Sequence, residues 1–236
     1  MRWLKAGRRR GVARSHRPGG IRMAQKPKRR TRERILETAL AQFNTHGEPT
    51  VTTAAIALEM GISPGNLYYH YHSKEKIVDD LFAAFRAEIE ATLAAPQQRL
   101  PDAEDCWLFL HLVFEAIWKY RFLYRDLNEL IARYRCVETQ MKRILSHKIR
   151  VAREIMDGLA KAGQMKATPG EIALLAENMA MVATYWLSFE FARNPRAAQD
   201  GHGLGRGVFQ VLALAAPYLA PRERALFDEL AARYAH

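Results

Sequence analysis

Residues 52–74, TTAAIALEMGISPGNLYYHYHSK, decide how the rest of the chain is read. Thr52 is placed to cap a short helix with its hydroxyl, and Ala55, Ile56, Ala57 and Met60 give that helix a small apolar face. Gly61 can take the left-handed conformation that ends it, and Ile62 returns the chain to the core. Ser63 suits the N-cap of a second helix and Pro64 its first turn, where a missing N–H costs nothing. Two short helices joined by a glycine turn predict a helix-turn-helix, the unit that lays its second helix in the DNA major groove.

The second helix is crowded with groups that suit a phosphodiester backbone: Asn66, Tyr68, Tyr69, His70 and, just beyond, Lys74. Leu67 and Tyr71 are one turn apart and share a face, so they are the expected core anchors. Asn66, Tyr69 and His70 lie on other faces. Ser73 is expected to cap a further helix starting at Lys74. Aromatics at this spacing could instead simply pack a small helical domain, an alternative that applies most to Tyr68 and Tyr71.

Residues 32–81 resemble the DNA-binding domain of the TetR family of bacterial transcriptional regulators. The resemblance is carried by RILETALAQFNTHG, the TTAAIA opening, GIS at the turn, GNLYYHY on the second helix and SKEKIV after it. It implies an all-α, Ω-shaped homodimer on a palindromic double-stranded operator, repressing until a small molecule in a larger domain releases it. By this resemblance Ala54, Pro64, Gly65 and Asn66 approach base edges, and only Asn66 brings a side-chain hydrogen bond, suited to adenine. His70 adds a further contact, and the rest of the specificity falls to close fit and DNA shape. Thr52, Thr53, Tyr69 and Lys74 are expected at phosphates. Arg29, Arg30, Ser63 and Tyr68 complete the candidate DNA-binding set.

The chain of 236 residues is 49% hydrophobic, enough for one large or two modest helical domains with an ample core. Its net charge of +11 is unevenly placed: residues 1–22 hold eight basic side chains and no acid, which leaves +3 beyond them. Residues 1–27 are expected to form a disordered basic tail, either an extra DNA-binding arm or a start-site extension with Met23 as the true start. The tail lacks the apolar stretch of a secretion signal. Lys28, Arg29, Arg30 and Arg32 crowd the start of a helix running to about His46, against its dipole, which phosphates would neutralise. Ile35, Leu36, Ala39, Leu40 and Phe43 recur at helical spacing and build the small domain's core. The helix-turn-helix domain is placed at 28–76 and a helical ligand-binding and dimerisation domain at 77–236.

From Lys74 onward the chain reads as helices alone. One, marked by Ile77, Leu81, Phe85, Ile89 and Leu93, stops before Pro96, and Pro101–Asp102 open the next. A short segment covers 120–132, long helices follow at about 137–162 and 169–193, and 196–207, with four glycines, reads as a loop before helices at 208–219 and 223–234. Charges or amides interrupt every long apolar stretch, so no membrane partner and a cytoplasmic location are expected.

Aromatic and methionine residues in this region either form its core or line a pocket. Since the family's ligand cavity lies among these helices, the resemblance favours Trp107, Phe114, Trp118 and Phe122, with Tyr185, Trp186 and Phe189 from a later helix. His111 and Asn178 are the candidate polar anchors, and His111 is the one able to titrate near neutrality. DAEDCWLFLHLVFE and YRFLYRDLNELIAR also resemble TetR-type regulators associated with polyhydroxyalkanoate synthesis genes. That implies a fatty-acyl effector, an acyl-CoA being the candidate, with Arg121, Arg125, Arg133 and Arg135 as a basic mouth for its head group. Activation of storage-polymer or fatty-acid genes, and sensing of lipophilic drugs for efflux control, are the alternative roles. By the resemblance, dimerisation is expected through 171–193 and 208–219, whose Ala173, Ala176, Ala180 and Ala183, and Val211, Leu212, Leu214 and Ala215, would permit close packing.

No cofactor, metal site or catalytic residue is expected. Cys106 and Cys136 have no metal-ligand spacing and read as reduced thiols. An enzyme would need a nucleophile elbow, a phosphate loop or a metal-ligand set. A protein-interaction adaptor would leave residues 52–74 without a purpose.

Overall fold

A computed structural model describes residues 27–94, 103–195 and 203–234; the expectations for the basic tail and for Met23 lie outside them. The described residues form eleven α-helices. The first four are α1 (Pro27–His46), α2 (Thr53–Glu59), α3 (Pro64–His70) and α4 (Lys74–Ala94). Then come α5 (Ala103–Lys119), α6 (Arg121–Arg125), α7 (Leu127–Arg133) and α8 (Arg135–Lys161). The last are α9 (Pro169–Arg193), α10 (Gly203–Ala215) and α11 (Pro221–Tyr234).

Local chemistry sets the ends of these helices. Thr52 accepts from the Ala55 N–H and Ser63 from the Asn66 N–H, and Gly61 turns at φ 66°. The Thr168 hydroxyl and the Glu171 carboxylate exchange hydrogen bonds with each other's backbone N–H, a capping box that starts α9. Hydrogen bonding to the Thr168 backbone and hydroxyl holds Glu171 below the usual carboxylate range.

A continuous core runs from Ile35, Ala39 and Phe43 through Leu67 and Tyr71 into α4, and on through Phe122, Tyr124 and Leu130 to Val151. The expected boundary at 76/77 therefore falls inside an unbroken helix, α4, whose buried residues serve both halves. At one seam the Asn44 amide donates to the Lys119 carbonyl at 2.9 Å and accepts from the Phe122 N–H at 3.1 Å. Arg125 donates to the carbonyls of Phe43 and Asn44 at the end of α1.

One expectation changes. Residues 203–207 are helical rather than loop, because Gly207 lets α10 lie against Phe114 and Trp186, where a Cβ would come within 2.7 Å of the Trp186 ring. Among the described helices α9 is long and apolar enough, by length and composition, to cross a bilayer, but one face of it packs between α8 and α10.

Candidate nucleic-acid interface and effector cavity

The recognition helix α3 is held from beneath by a three-residue clamp. Leu67 and Tyr71 are each 2% exposed, as their spacing predicts. The Tyr71 hydroxyl donates to Asp80 of α4 at 2.8 Å, and Arg32 of α1 reaches both, at 3.1 Å and 2.7 Å. The Arg32 guanidinium also lies 4.7 Å from the Tyr71 ring centre. Burial, with the hydrogen bond to Asp80, pushes the Tyr71 phenol up to about 12. It therefore stays a donor at any physiological pH, and α3 keeps a fixed pose on α1 and α4.

That pose leaves Thr52, Ala54, Ser63, Pro64, Gly65, Asn66, Tyr68 and Tyr69 on the surface, with Thr53 and His70 half-buried. Tyr68 and Tyr69 are about 60% exposed, an unusual position for two large aromatic rings. Tyr69 meets His70 edge to face at 5.3 Å, and Tyr68 meets His72 at 5.0 Å. Arg30 is exposed, and the Arg29 side chain lies outside the described residues.

Lys74 is the correction in this set. Its ammonium donates to the carbonyls of Glu48 and Val51 at 2.9 and 3.0 Å and pairs with the Glu48 carboxylate at 2.7 Å. An ammonium has three donors, and all three are engaged internally, so none is left for a phosphate in this arrangement. Glu48 is fully buried and also accepts from Tyr134 at 2.5 Å and Arg133 at 3.1 Å.

The second site is a cavity of about 110 Å³. Leu93 of α4 forms part of its wall, with Phe109, Leu110 and Val113 of α5. Ala152, Ile155 and Met156 come from α8, Met179, Ala180 and Ala183 from α9, and Val211, Leu212 and Ala215 from α10. Phe227 and Leu230 of α11 add to the apolar lining. Lys148 of α8 and Glu223 of α11 are its charged residues.

None of the nine sequence-predicted ligand residues lines this cavity. The helices are those expected, but the faces differ. Phe114 and Phe122 are fully buried core, and the Trp186 indole donates to the Gly203 carbonyl at 2.9 Å. Trp107 stacks on His111 at 5.1 Å, with His111 beside Glu115, and Trp118 carries Arg121 over its ring at 4.6 Å. Asn178, Tyr185 and Phe189 point outward from α9. The expected basic mouth is also dispersed: Arg125 holds α1, Arg133 pairs with Glu48 and Glu129, and Arg121 sits on Trp118. Ala176, Ala180 and Ala183, expected at a dimer seam, are buried within the protomer.

Sequence reading missed Lys148, Glu48 and Asn44, and gave Arg125 to a ligand head group where the structure ties it to the end of α1. One signal for Lys148 was present. It interrupts the stripe Val137, Met141, Ile144, Val151, where every other member is buried.

Residues 35–81 match the family described as bacterial regulatory proteins of the tetR family, and residues 84–227 match its companion, TetR, bacterial transcriptional repressor. The chain belongs to the TetR family. A TetR-family transcriptional regulator from Marinobacter aquaeolei VT8 superposes with a TM-score of 0.78 at 32% identity, over 86% of this chain and 98% of that one. The HTH-type transcriptional repressor KstR2 of Mycobacterium tuberculosis is 39% identical over 77 residues, covering 29% of this chain and 38% of its own length. The nucleoid occlusion factor SlmA of Shewanella frigidimarina is 33% identical over 92 residues, 39% of this chain and 47% of that protein. The chain thus spans less than half the length of those two curated relatives. Family membership makes this a transcriptional regulator with a DNA-binding helix-turn-helix and a helical ligand-binding region.

Proposed function

We propose that the chain acts in the cytoplasm as a homodimeric repressor, seated on a palindromic operator and released by a small apolar molecule entering the cavity. The observation that carries this reading is the span of α4. Its Leu93 end forms cavity wall, while Asp80 and Lys74 near its other end hold the recognition helix and the turn before α2. A ligand that displaces the wall therefore acts on the same rigid element that poses α3, and its leverage is set by its differential affinity for the two poses.

The dimer is supported by the outer face of α9. Leu174, Met181, Tyr185 and Phe189 are 64, 55, 45 and 53% exposed and fall on one helical stripe. A second copy of the same stripe is a self-complementary cover for it. Two recognition helices held together would then read two half-sites one DNA turn apart. The apolar cavity supports an apolar effector; the acyl part of an acyl-CoA fits that lining, whereas three of the four arginines expected to meet its head group, Arg121, Arg125 and Arg133, are engaged elsewhere.

Gel-shift titration against fragments of the gene's own promoter region, with and without candidate effectors, tests the reading. Binding at low salt that weakens on adding an apolar effector supports it. No binding to any fragment counts against a regulator of that region.

A further inference from the structure

Lys148 places an ammonium-bearing side chain at the wall of an otherwise apolar cavity. It is 6% exposed, and its hydrogen-bond partner among the described residues is the Tyr124 hydroxyl, 3.1 Å away, with the Tyr124 ring 4.9 Å from the nitrogen. No carboxylate of the described residues lies within ion-pair distance of it, although Glu223 lines the same cavity. A buried charge is ordinarily paired, because an unpaired one is costly away from water.

The geometry points to an effector that is an apolar monocarboxylate, its carboxylate seated on Lys148 and the Tyr124 hydroxyl and its hydrocarbon body against the α5, α9 and α10 walls. This deepens the reading of the cavity as the effector site and rests on it. The ligand supplies the counter-charge that the protein does not, while the apolar wall contributes affinity without discriminating among head groups. A neutral ester or alcohol of the same chain fills the same wall but leaves the ammonium unpaired. A thioester such as an acyl-CoA lacks the carboxylate that Lys148 would pair with.

The test is calorimetric titration of the full-length protein, freed of co-purified lipid, with decanoate, methyl decanoate, 1-decanol and decanoyl-CoA at pH 6.5, where the acid is ionised. Decanoate is expected to bind about tenfold or more tighter than the ester and the alcohol, the margin of a charge-assisted hydrogen bond. Lys148→Met, close in length and apolar, is expected to erase that margin while leaving ester binding in place, and Tyr124→Phe to reduce it several-fold. Equal binding of ester and acid overturns the anionic head, and this comparison in the unaltered protein needs no variant to fold. A decanoyl-CoA that outcompetes decanoate and is unaffected by Lys148→Met overturns it as well. In either case the cavity stands as an apolar effector site. If none of the four probes binds or weakens the DNA complex, the effector reading falls with it.

Discussion

Tyr134 donates to Glu48 at 2.5 Å, and that contact joins the α7–α8 corner to the 3₁₀ turn between α1 and α2. Glu48 is fully buried and gathers Lys74 and Arg133 on the same carboxylate. Removing the centre of such a cluster leaves its partners uncompensated, at about 3–5 kcal/mol. Removing only the Tyr134 hydroxyl costs about 1.5–3 kcal/mol, and removing Arg133, 43% exposed, costs least because solvent screens its pair. Urea denaturation of Glu48→Ala, Tyr134→Phe and Arg133→Ala should therefore rank them in that order. A larger loss for Arg133→Ala than for Tyr134→Phe would place the energetic centre at the surface instead.

Lys74 and Asn66 should separate cleanly in DNA-binding experiments. Since the three donors of Lys74 are engaged with Glu48 and Val51, Lys74→Met should lower stability and leave the salt dependence of operator binding unchanged. A fall in the log–log slope of about one per protomer would instead show the ammonium turning out to a phosphate on the DNA. Asn66→Ala should relax preference at one base position by about 1–3 kcal/mol with no loss of stability, since Asn66 is exposed.

The helix-turn-helix was legible because its signals are local. Thr52, Gly61, Ser63 and Pro64 each fix a backbone position through their own chemistry, and Leu67 and Tyr71 through spacing. The cavity was not legible in the same way. Aromatic residues announce burial, but Phe114, Phe122 and Trp186 are spent on packing, while the cavity opens where Ala152, Ala180 and Ala183 are short, with Phe109 and Phe227 as the aromatics of its wall. Space inside a bundle arises where side chains are short, and which face of a helix meets that space is set by its neighbours. Glu48 was illegible for the same reason: its partners lie 26, 85 and 86 residues away.

Gly207 should be intolerant of substitution. An added Cβ would collide with the Phe114 ring and come within 2.7 Å of the Trp186 indole, both buried. Alanine gains about 1 kcal/mol of helix propensity over glycine, but overpacking costs about 1–3 kcal/mol or more. Gly207→Ala is thus expected to lower the melting temperature, and Gly207→Val to lower it further. Unchanged melting in both would mean that α10 shifts freely on α5 and α9.

The α9 stripe predicts a variant that separates assembly from folding. Tyr185 and Phe189 are about half exposed, so Tyr185→Glu and Phe189→Glu should change protomer stability by no more than ~0.5 kcal/mol. In a dimer built on that face they bury charge against charge. Sedimentation should show the double variant as a monomer with the helical content retained and operator binding much weakened. A double variant that stays dimeric places the interface elsewhere.

Lys148 makes both stability and effector binding depend on pH, with opposite signs. Burial pushes its amine from the ordinary 10.5 down to about 7. Between those values the unfolded chain binds a proton that the folded chain does not, so stability from this residue rises with pH across pH 7–10.5 and is lowest below 7. Lys148→Met should flatten that rise in denaturation midpoints. A carboxylate ligand favours the ammonium, which the empty cavity keeps only below about pH 7, so affinity should fall by up to about tenfold per pH unit above it, until the margin over the ester is lost. The other titratable groups are Tyr124 of α6, hydrogen-bonded to Lys148, and Cys106 of α5 and Glu223 of α11 at the cavity wall, to which α4, α9 and α10 contribute apolar side chains. Tyr124 is raised by burial and stays neutral throughout. Titrating Glu223→Gln in parallel isolates its share. A decanoate affinity that is flat from pH 6 to 9 in both proteins would remove Lys148 from the head-group site.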